Sequence, residues 1–530
     1  MHLKNILIYL LFLLIPAINH AQDKDSILQW QKTYGGSRGD YAQCAINTSD
    51  GGYILAGGTY SFDGDVNYTG NDTGNLKYCD IWIIKINKNG LIEWNKTYGG
   101  SGFDYIASII PSIDSGYVVV GSTTSANGNI GYNHGGEDIW VFEIDKFGNL
   151  NWEKTYGGTG DENVIGSCIV STNDSCYIVS GSSDSYDKGV LTTHSGSEDV
   201  YCFKINKKGD LLWQKTYGGL RWDQGQCIIK SPKSGYLLGA YTESGDGDVI
   251  HPHGYAWVIN IDDQGKIIWQ KTYGDSLNVQ FNSLTATPDT GFIACGSISP
   301  YFKNGKDVWV VKFKNDSLIQ WSDTLGGSRN DIGVSSVITT DSNIIVAGIT
   351  SSIDGNITRS FNMDSSKYDI WIIKLDAEGK MKWQKSFGSS YDDFAYSITS
   401  CKSGGFLVSG ITTSDDHDVT FNHGEGDAWL IKLKGSDTTT VGVSSQNTAP
   451  SFINIYPNPT NSNLYFQVKD NTLSHVSAQA IITDLSGRTL LIQQIIESES
   501  TMDVSTLPSG IYLLRYQDAD RVWNGKFVKE

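Results

Sequence analysis

The chain has 530 residues, of which 39% are hydrophobic and 12% aromatic, enough for a sizeable core or for several domains. Its net charge of −18 argues against nucleic acid or any other polyanionic partner. Ten prolines against 59 glycines describe a chain of many turns rather than a disordered one.

Residues 1–21 read as a secretory signal peptide: Lys4 gives a positive start, Ile6 to Ile15 an apolar run, and Ala21 a small residue before Gln22. Asn19 departs from the usual small residue at that place. The run is shorter than the ~20 residues of a spanning helix, and no other stretch is long and apolar enough to form a transmembrane segment.

A string W-x-K-T-Y-G-G then recurs, starting at Trp30, Trp94, Trp152 and Trp213, with variants at Trp269, Trp321 and Trp383. From the leading Trp to a strand-starting residue (Tyr53, Tyr117, Tyr177, Tyr236, Phe292, Ile344, Phe406) the spacing is 23 in six copies and 25 in the third. A second aromatic, at Trp82, Trp140, Tyr201, Trp257, Trp309, Trp371 and Trp429, precedes the next leading Trp by 12 residues in the first six copies. Fixed spacing marks paired strands, because one inserted residue turns every later side chain to the other face. The stretch between the two landmarks varies from 17 to 29 residues and reads as a surface loop. Copy one gives strands Tyr41–Thr48, Tyr53–Thr59, Ile81–Asn87 and Leu91–Tyr98, with Asp/Gly and Asn/Gly turns between them.

Four short strands per copy, repeated around an axis, predict an all-β, seven-bladed β-propeller over residues 26–434. The last copy has no fourth strand after Trp429, and the chain begins with a spare one, Ile27 to Tyr34; that strand is expected to close the ring and protect its edges. An open solenoid is the competing architecture. On W-x-K-T-Y-G-G, D-G-G-Y and D-x-W, the stretch from about Trp30 to Lys434 resembles a family of long Gly- and Trp-rich propeller repeats of secreted bacterial proteins. The resemblance implies export and a propeller, with no settled chemistry.

Residues 435–450 are polar, lack periodicity and read as a linker. Beyond them, strand-like runs alternate with Gly/Asn/Asp turns and predict a small C-terminal β-sandwich over 451–530. Its Tyr456-Pro457-Asn458-Pro459, Asp484-Leu485-Ser486-Gly487-Arg488, Leu507-Pro508-Ser509-Gly510-Ile511-Tyr512 and basic, apolar tail resemble the type A C-terminal sorting domain of the type IX (Por) secretion system. The resemblance implies passage across the outer membrane by the type IX machinery, then removal of the domain with the cargo released or attached to the surface. An ordinary sandwich module is the alternative.

The eight cysteines invite a disulfide framework. Yet Cys44, Cys168 and Cys227 share a column with Ser108, Ser283, Ser335 and Ser397, and Cys295 shares one with Ala56, Ser180 and Ala347, which favours free thiols packed in the core. Thirteen of the fifteen tryptophans fall in the two repeating columns and are expected in the core. Trp523 lies in the C-terminal domain, which leaves Trp222, beside Arg221 and Asp223, as a candidate to stack on a sugar ring or else pack as a loop residue. Asp63 and Asp65, Asp246 and Asp248, and Asp416 and Asp418 bracket a Gly or His in the variable loops. Oxygens two residues apart can wrap calcium, or they can form Asx turns. His134, His194, His251, His253, His417 and His423 lie in the same loops and read as ordinary loop histidines, with a transition metal as the alternative. Asp275-Ser276-Leu277 after Gly274 imitates an esterase signature without a triad around it.

The long loops and the interblade connections should share one face. This is the expected ligand face, with Trp222, Arg221, Asp223, His134 and His423 as contact candidates. The leading expectation is a non-catalytic binding module for a glycan or protein. The alternatives are an extracellular polysaccharide hydrolase or lyase, which needs two converging carboxylates, and a structural surface or adhesion component.

Overall fold

A computed structural model of the chain describes residues 27–68, 78–187, 190, 197–250, 254–274, 279–299, 305–314, 317–358, 360–361, 364, 366–435, 453–456, 460–468, 478–484, 488–495, 499–517 and 522–529. The expected signal peptide, all but Gly435 of the expected linker, His194, His251, His253 and Asp275-Ser276-Leu277 lie outside them. The chain divides into two compact units, Met1–Asp437 and Thr438–Glu530. Among the described residues it is all-β, and no helix is long and apolar enough to cross a membrane.

In the first unit, Asp40–Asn47, Tyr53–Thr59, Asp80–Ile86 and Ile92–Tyr98 pair antiparallel in chain order. The same order recurs from Asp104 to Tyr156, Glu162 to Tyr217, Asp223 to Tyr273, Val279 to Leu325 and Asp331 to Phe387. A seventh sheet takes three strands from Asp393–Ser400, Phe406–Thr412 and Asp427–Leu433. Its fourth is Leu28–Tyr34 from the other end of the unit, antiparallel to Asp427–Leu433 with Gln31 opposite Ile431 and Tyr34 opposite Ala428. In the third sheet, the two extra residues between landmarks break the first strand into Glu162–Asn163 and Ile169–Ser171, both paired with Cys176–Ser183. The insertion is absorbed without moving the register of the later strands.

The middle two strands of each sheet are buried on both faces, which is why they read as near-continuous apolar runs. Each apolar cluster of the unit spans two consecutive sheets, and one joins Leu407, Ala428 and Leu430 of the seventh to Tyr53, Leu55 and Trp82 of the first. The tryptophans of D-x-W are buried, as expected. Their indole N–H groups donate to the strand beside them: Trp82 to Asn95 at 3.0 Å, Trp257 to Gln270 at 2.7 Å, Trp371 to Gln384 at 2.8 Å and Trp429 to Gln31 at 2.6 Å. The leading tryptophans differ from expectation. Trp30, Trp94, Trp152, Trp213, Trp269, Trp321 and Trp383 are half-buried on the outer strands. Trp94 and Trp152 cover the turn glycines Gly148 and Gly209 of the next sheet so closely that a Cβ there would lie within 2.9 Å of the ring. Tyrosines of the same strands cross to the same turns, with Tyr34 donating to the Gly90 carbonyl at 2.8 Å and Tyr98 to that of Gly148 at 2.6 Å. The eight cysteines are free, which agrees with their placement among small core residues.

A buried lysine of the third strand went unremarked in the sequence. Lys85 pairs with Asp50 at 2.9 Å and Glu93 at 2.7 Å, and Lys204 with Asp174 at 2.8 Å and Asp263 at 2.7 Å. The acids sit in the first turn and on the neighbouring strand or sheet, so the ammonium stitches the end of the sheet opposite the long loops.

At the loop end, the Y-G-G connection is held between two buried carboxyls. The Gly36 N–H donates to Asp40 at 2.7 Å, Gly100 to Asp104 at 2.8 Å, Gly158 to Glu162 at 2.7 Å, Gly219 to Asp223 at 2.8 Å and Gly327 to Asp331 at 2.7 Å. The glycine before each is pressed against a carboxyl of the preceding sheet. A Cβ on Gly35 would lie 2.3 Å from Asp427 Oδ1 and 2.9 Å from Asp40 Oδ2, and one on Gly218 would lie 2.2 Å from Asp199 and 2.7 Å from Asp223. The two acids at such a junction therefore approach to about 5 Å or less, near enough to disfavour double ionisation. Oδ1 of Asp138, Asp199 and Asp427 has no hydrogen-bond partner.

The second unit has two sheets. Ile453–Tyr456, Asn463–Val468 and Glu499–Asp503 form one; Thr489–Ile495, Ala478–Thr483, Gly510–Gln517 and Val522–Lys529 form the other in that order. Leu464 and Met502 of the first and Ala480, Ile482, Tyr512, Leu514 and Phe527 of the second share one core.

The junction acids give the fold a pH dependence. Burial pushes Asp40 and Asp104 up to about 6, and Asp199 and Asp393 up to about 7. A carboxyl raised in the folded state favours folding fully below its unfolded value, and this contribution is lost as pH rises through the folded value. Each such ionisation is expected to weaken the fold by about 1–3 kcal/mol. Melting temperature should therefore be higher at about pH 5 than at about pH 8, and Asp199→Asn should flatten that slope. Thermal denaturation across this range checks it; an equal or rising melting temperature toward pH 8 contradicts it.

Candidate functional site

The connection between the third and fourth sheets is Leu220-Arg221-Trp222. Its backbone is pinned residue by residue: the Leu220 N–H donates to Asp246 Oδ1 at 2.9 Å, Arg221 N–H to Ser244 Oγ at 3.0 Å, and the Trp222 carbonyl accepts from Glu243 N–H at 2.8 Å. The next residue, Asp223, is fully buried in the junction, where it accepts from Gly219 and, at 2.7 Å, from Ser244 Oγ. It therefore differs from the expectation that placed it on the ligand face. Trp222, its neighbour, is 39% exposed.

Trp222 lines a groove of about 500 Å³ together with Asp184, Tyr186, Ser197 and Glu198. Its indole N–H donates to Glu198 Oε2, whose other oxygen accepts from Asn163 at 3.4 Å and Gln224 at 3.5 Å. The ring meets Tyr241 edge-on at 5.8 Å, and Tyr241 stacks on Tyr255 at 5.6 Å, so the platform is backed by two further rings. Tyr186 is 57% exposed, and its hydroxyl donates to the Ser197 carbonyl at 3.3 Å. An exposed, oriented indole beside two carboxylates can stack on the apolar face of a sugar ring while the acids accept its hydroxyls.

Of the candidate residues, only Trp222 lines this groove, with Arg221 exposed next to it. His134 is tied to Asp138, its Nδ1 3.1 Å from Oδ2 and its N–H at 2.6 Å. His423 is tied to Asp427 at 2.6 Å, with its Nε2 3.6 Å from Asp65. The two histidines belong to separate junctions and order the loop before the third strand.

The acidic loop pairs act on the Y-G-G connection. Asp63 Oδ1 accepts from Ser37 N–H at 2.7 Å, and Asp65 N–H donates to the Gly35 carbonyl at 2.8 Å. Asp246 and Asp248 repeat this on Leu220 and Gly218, the latter at 2.8 Å. Asp416 takes Ser390 N–H at 2.8 Å, and Asp418 N–H reaches Gly388 at 3.2 Å. Hydrogen bonds from Ser37 hold the Asp63 carboxyl below its ordinary value, as those from Ser390 do for Asp416. The residue between each pair needs a left-handed backbone: φ is +65° at Gly64, +63° at Gly247 and +54° at His417. Among the described residues no three His, Cys, Asp or Glu side chains converge on one metal position.

Asp184, Tyr186, Ser197 and Glu198 were missed in the sequence. The signal lay in the third copy, which carries Asp161, Asp184 and Glu198 where the first copy has Gly39, Tyr60 and Cys79.

Comparison with known proteins bears on the second unit. No curated protein matches the chain. PorZ, described as an essential bacterial surface component of the type IX secretion system of Porphyromonas gingivalis, matches at 9% identity over 93% of this chain and 82% of its own, with a TM-score of 0.24. Puromycin hydrolase matches at 10% identity over 92% of this chain and 61% of its own, with a TM-score of 0.41. At these scores neither likeness defines the fold, which rests on the strand pairing above. Residues 454–530 match the secretion system C-terminal sorting domain, and the chain is exported through type IX secretion to the cell surface or the extracellular space.

Proposed function

We propose that the exported chain is a seven-bladed β-propeller closed by its N-terminal strand, and that it works as a glycan-binding protein. In this reading residues 1–21 are a signal peptide, 26–434 the propeller, 435–450 a linker and 451–530 the sorting domain. Closure is supported by the Leu28–Tyr34 strand lying on Asp427–Leu433, and by Gln31 taking the indole of Trp429 as Gln270 takes that of Trp257. The shared cluster of the first and seventh sheets adds to it.

The observation that carries the binding function is the groove itself, lined by an exposed Trp222 fixed by Glu198 and by an exposed Tyr186. The second reading, a polysaccharide hydrolase, is favoured by one fact, that two carboxylates, Asp184 and Glu198, line the same groove. The acidic loops at Asp63–Asp65, Asp246–Asp248 and Asp416–Asp418 are assigned to the scaffold, as clasps on the Y-G-G connection, in preference to calcium binding.

Three outcomes are expected. Trp222→Ala should lose about 1 kcal/mol or more of glycan affinity, read by titration calorimetry against ligands chosen from a glycan array, with an unchanged melting temperature. Turnover of a bound polysaccharide that Asp184→Asn abolishes would replace binding with hydrolysis, and absence of any glycan signal would leave a structural or adhesive role. Removal of residues 26–36 should leave the seventh sheet with an open edge and yield aggregated or unfolded protein. A soluble deletion variant as heat-stable as the parent defeats closure. Millimolar calcium should leave the melting temperature where it was, whereas a calcium-dependent rise would return the acidic loops to metal binding.

A further inference from the structure

We infer that the Trp222 groove selects an amine-bearing glycan, a glucosamine-type oligosaccharide, over its neutral N-acetylated counterpart. The inference rests on the groove being the glycan contact.

Asp184 and Glu198 line the groove, and two more acids continue from them. The Asp161 N–H donates to Asp184 Oδ1 at 2.6 Å, and the Glu137 N–H donates to Asp161 Oδ1 at 2.9 Å. Burial pushes Glu137 up, and the charges of Asp161 and Glu198 add to it. Among the described residues none of the four is ion-paired with a lysine, arginine or histidine. Several acids elsewhere in the unit are ion-paired. Asp50 and Glu93 share Lys85, Asp174 and Asp263 share Lys204, Asp289 meets Lys312 and Asp392 meets Lys367.

Negative charge in a recess focuses the field and concentrates cations there. A bare metal ion fits poorly, because among the described residues no three acids converge on one position and the two exposed rings would be left unused. A volume of about 500 Å³ is in the range of small-molecule sites and well beyond one lysine side chain. The remaining requirement is a ligand with flat, weakly polar faces for Trp222 and Tyr186 and with positive charge at its edge for the carboxylates. Pyranose rings bearing ammonium groups supply both.

The test uses the full-length exported protein and titration calorimetry at about pH 6, with the glucosamine amines in their charged form. A glucosamine tetramer should bind about tenfold or more tightly than the tetra-N-acetyl form, and that advantage should shrink as salt is raised. Asp184→Asn and Glu198→Gln keep the acceptor oxygens that Asp161 N–H and the Trp222 indole use. They should erase the preference for the amine form while Trp222→Ala weakens both sugars. Equal binding of the two tetramers, unaffected by Asp184→Asn and Glu198→Gln, overturns the amine selectivity and leaves the glycan reading standing. If neither tetramer nor any neutral glycan binds, the glycan reading fails with it. Binding of tetralysine in their place overturns both in favour of a basic peptide.

Discussion

The first unit depends on how closely consecutive sheets approach at the Y-G-G connection. A glycine there has its missing side-chain position 2.1–2.3 Å from a carboxyl oxygen of the preceding sheet at Gly35, Gly99, Gly157, Gly218, Gly326 and Gly388. No larger residue could occupy it without displacing a strand end. The second residue of the connection gives its N–H to the acid that opens the next sheet, so one dipeptide fixes two sheets at once. The acids behave as a matched set. Where the opening acid is lost, at Val279, the facing acid of the preceding sheet is lost with it, at Tyr255, and a valine methyl fills the space beside Gly274, where an added Cβ would lie 2.1 Å from it. A single buried charge left facing Val279 would carry the full penalty of desolvation with no neighbour to share a proton.

That pairing also explains what the sequence disclosed. Strands whose register is fixed by a buried face were legible: Tyr53–Thr59 is as read, and the other three of the first sheet agree within a residue. The D-x-W tryptophans announced themselves by constant spacing and are buried. The leading tryptophans are equally constant, yet they cover the turn of the next sheet from outside. Constancy of spacing reports a repeated contact, and a contact between sheets repeats as faithfully as one inside a sheet. The same limit applies to Asp63-Gly64-Asp65 and its relatives. Alternating oxygens suggest a cation when read alone, but the backbone N–H groups they serve lie 26 residues upstream, at Ser37, Leu220 and Ser390. No local pattern displays a partner at that distance.

The groove was legible only in part because it is made of departures from the pattern. Trp222 stood out as a tryptophan outside both columns. Asp184 and Glu198 did not, since a loop acid in a chain of net charge −18 is unremarkable until its neighbours are known. Their position in one groove follows from the frame: Asp184 follows the second strand of the third sheet, Glu198 precedes its third, and Trp222 precedes the first strand of the fourth. All three sit one residue outside a strand end at the same junction. Rigid strand ends hold such residues more precisely than the tips of long loops would.

This placement separates the roles of the two kinds of acid in the unit. Acids inside strand ends, such as Asp199 and Asp223, are buried, accept backbone or hydroxyl donors, or share a proton with a facing acid. Acids one residue further out, such as Asp161, are exposed. Moving one step along the chain thus converts a scaffold carboxyl into a surface one without disturbing the junction, because side chains of adjacent strand residues point to opposite sides. A frame of this kind can vary its loop-end surface copy by copy, with glycine and phenylalanine at Gly39 and Phe103 and acid or indole at Asp161 and Trp222, while each adjoining buried position stays acidic at Asp40, Asp104, Glu162 and Asp223. The surface chemistry of the third and fourth sheets is therefore a local property of those copies, and binding specificity can change there with no change in what holds the sheets together.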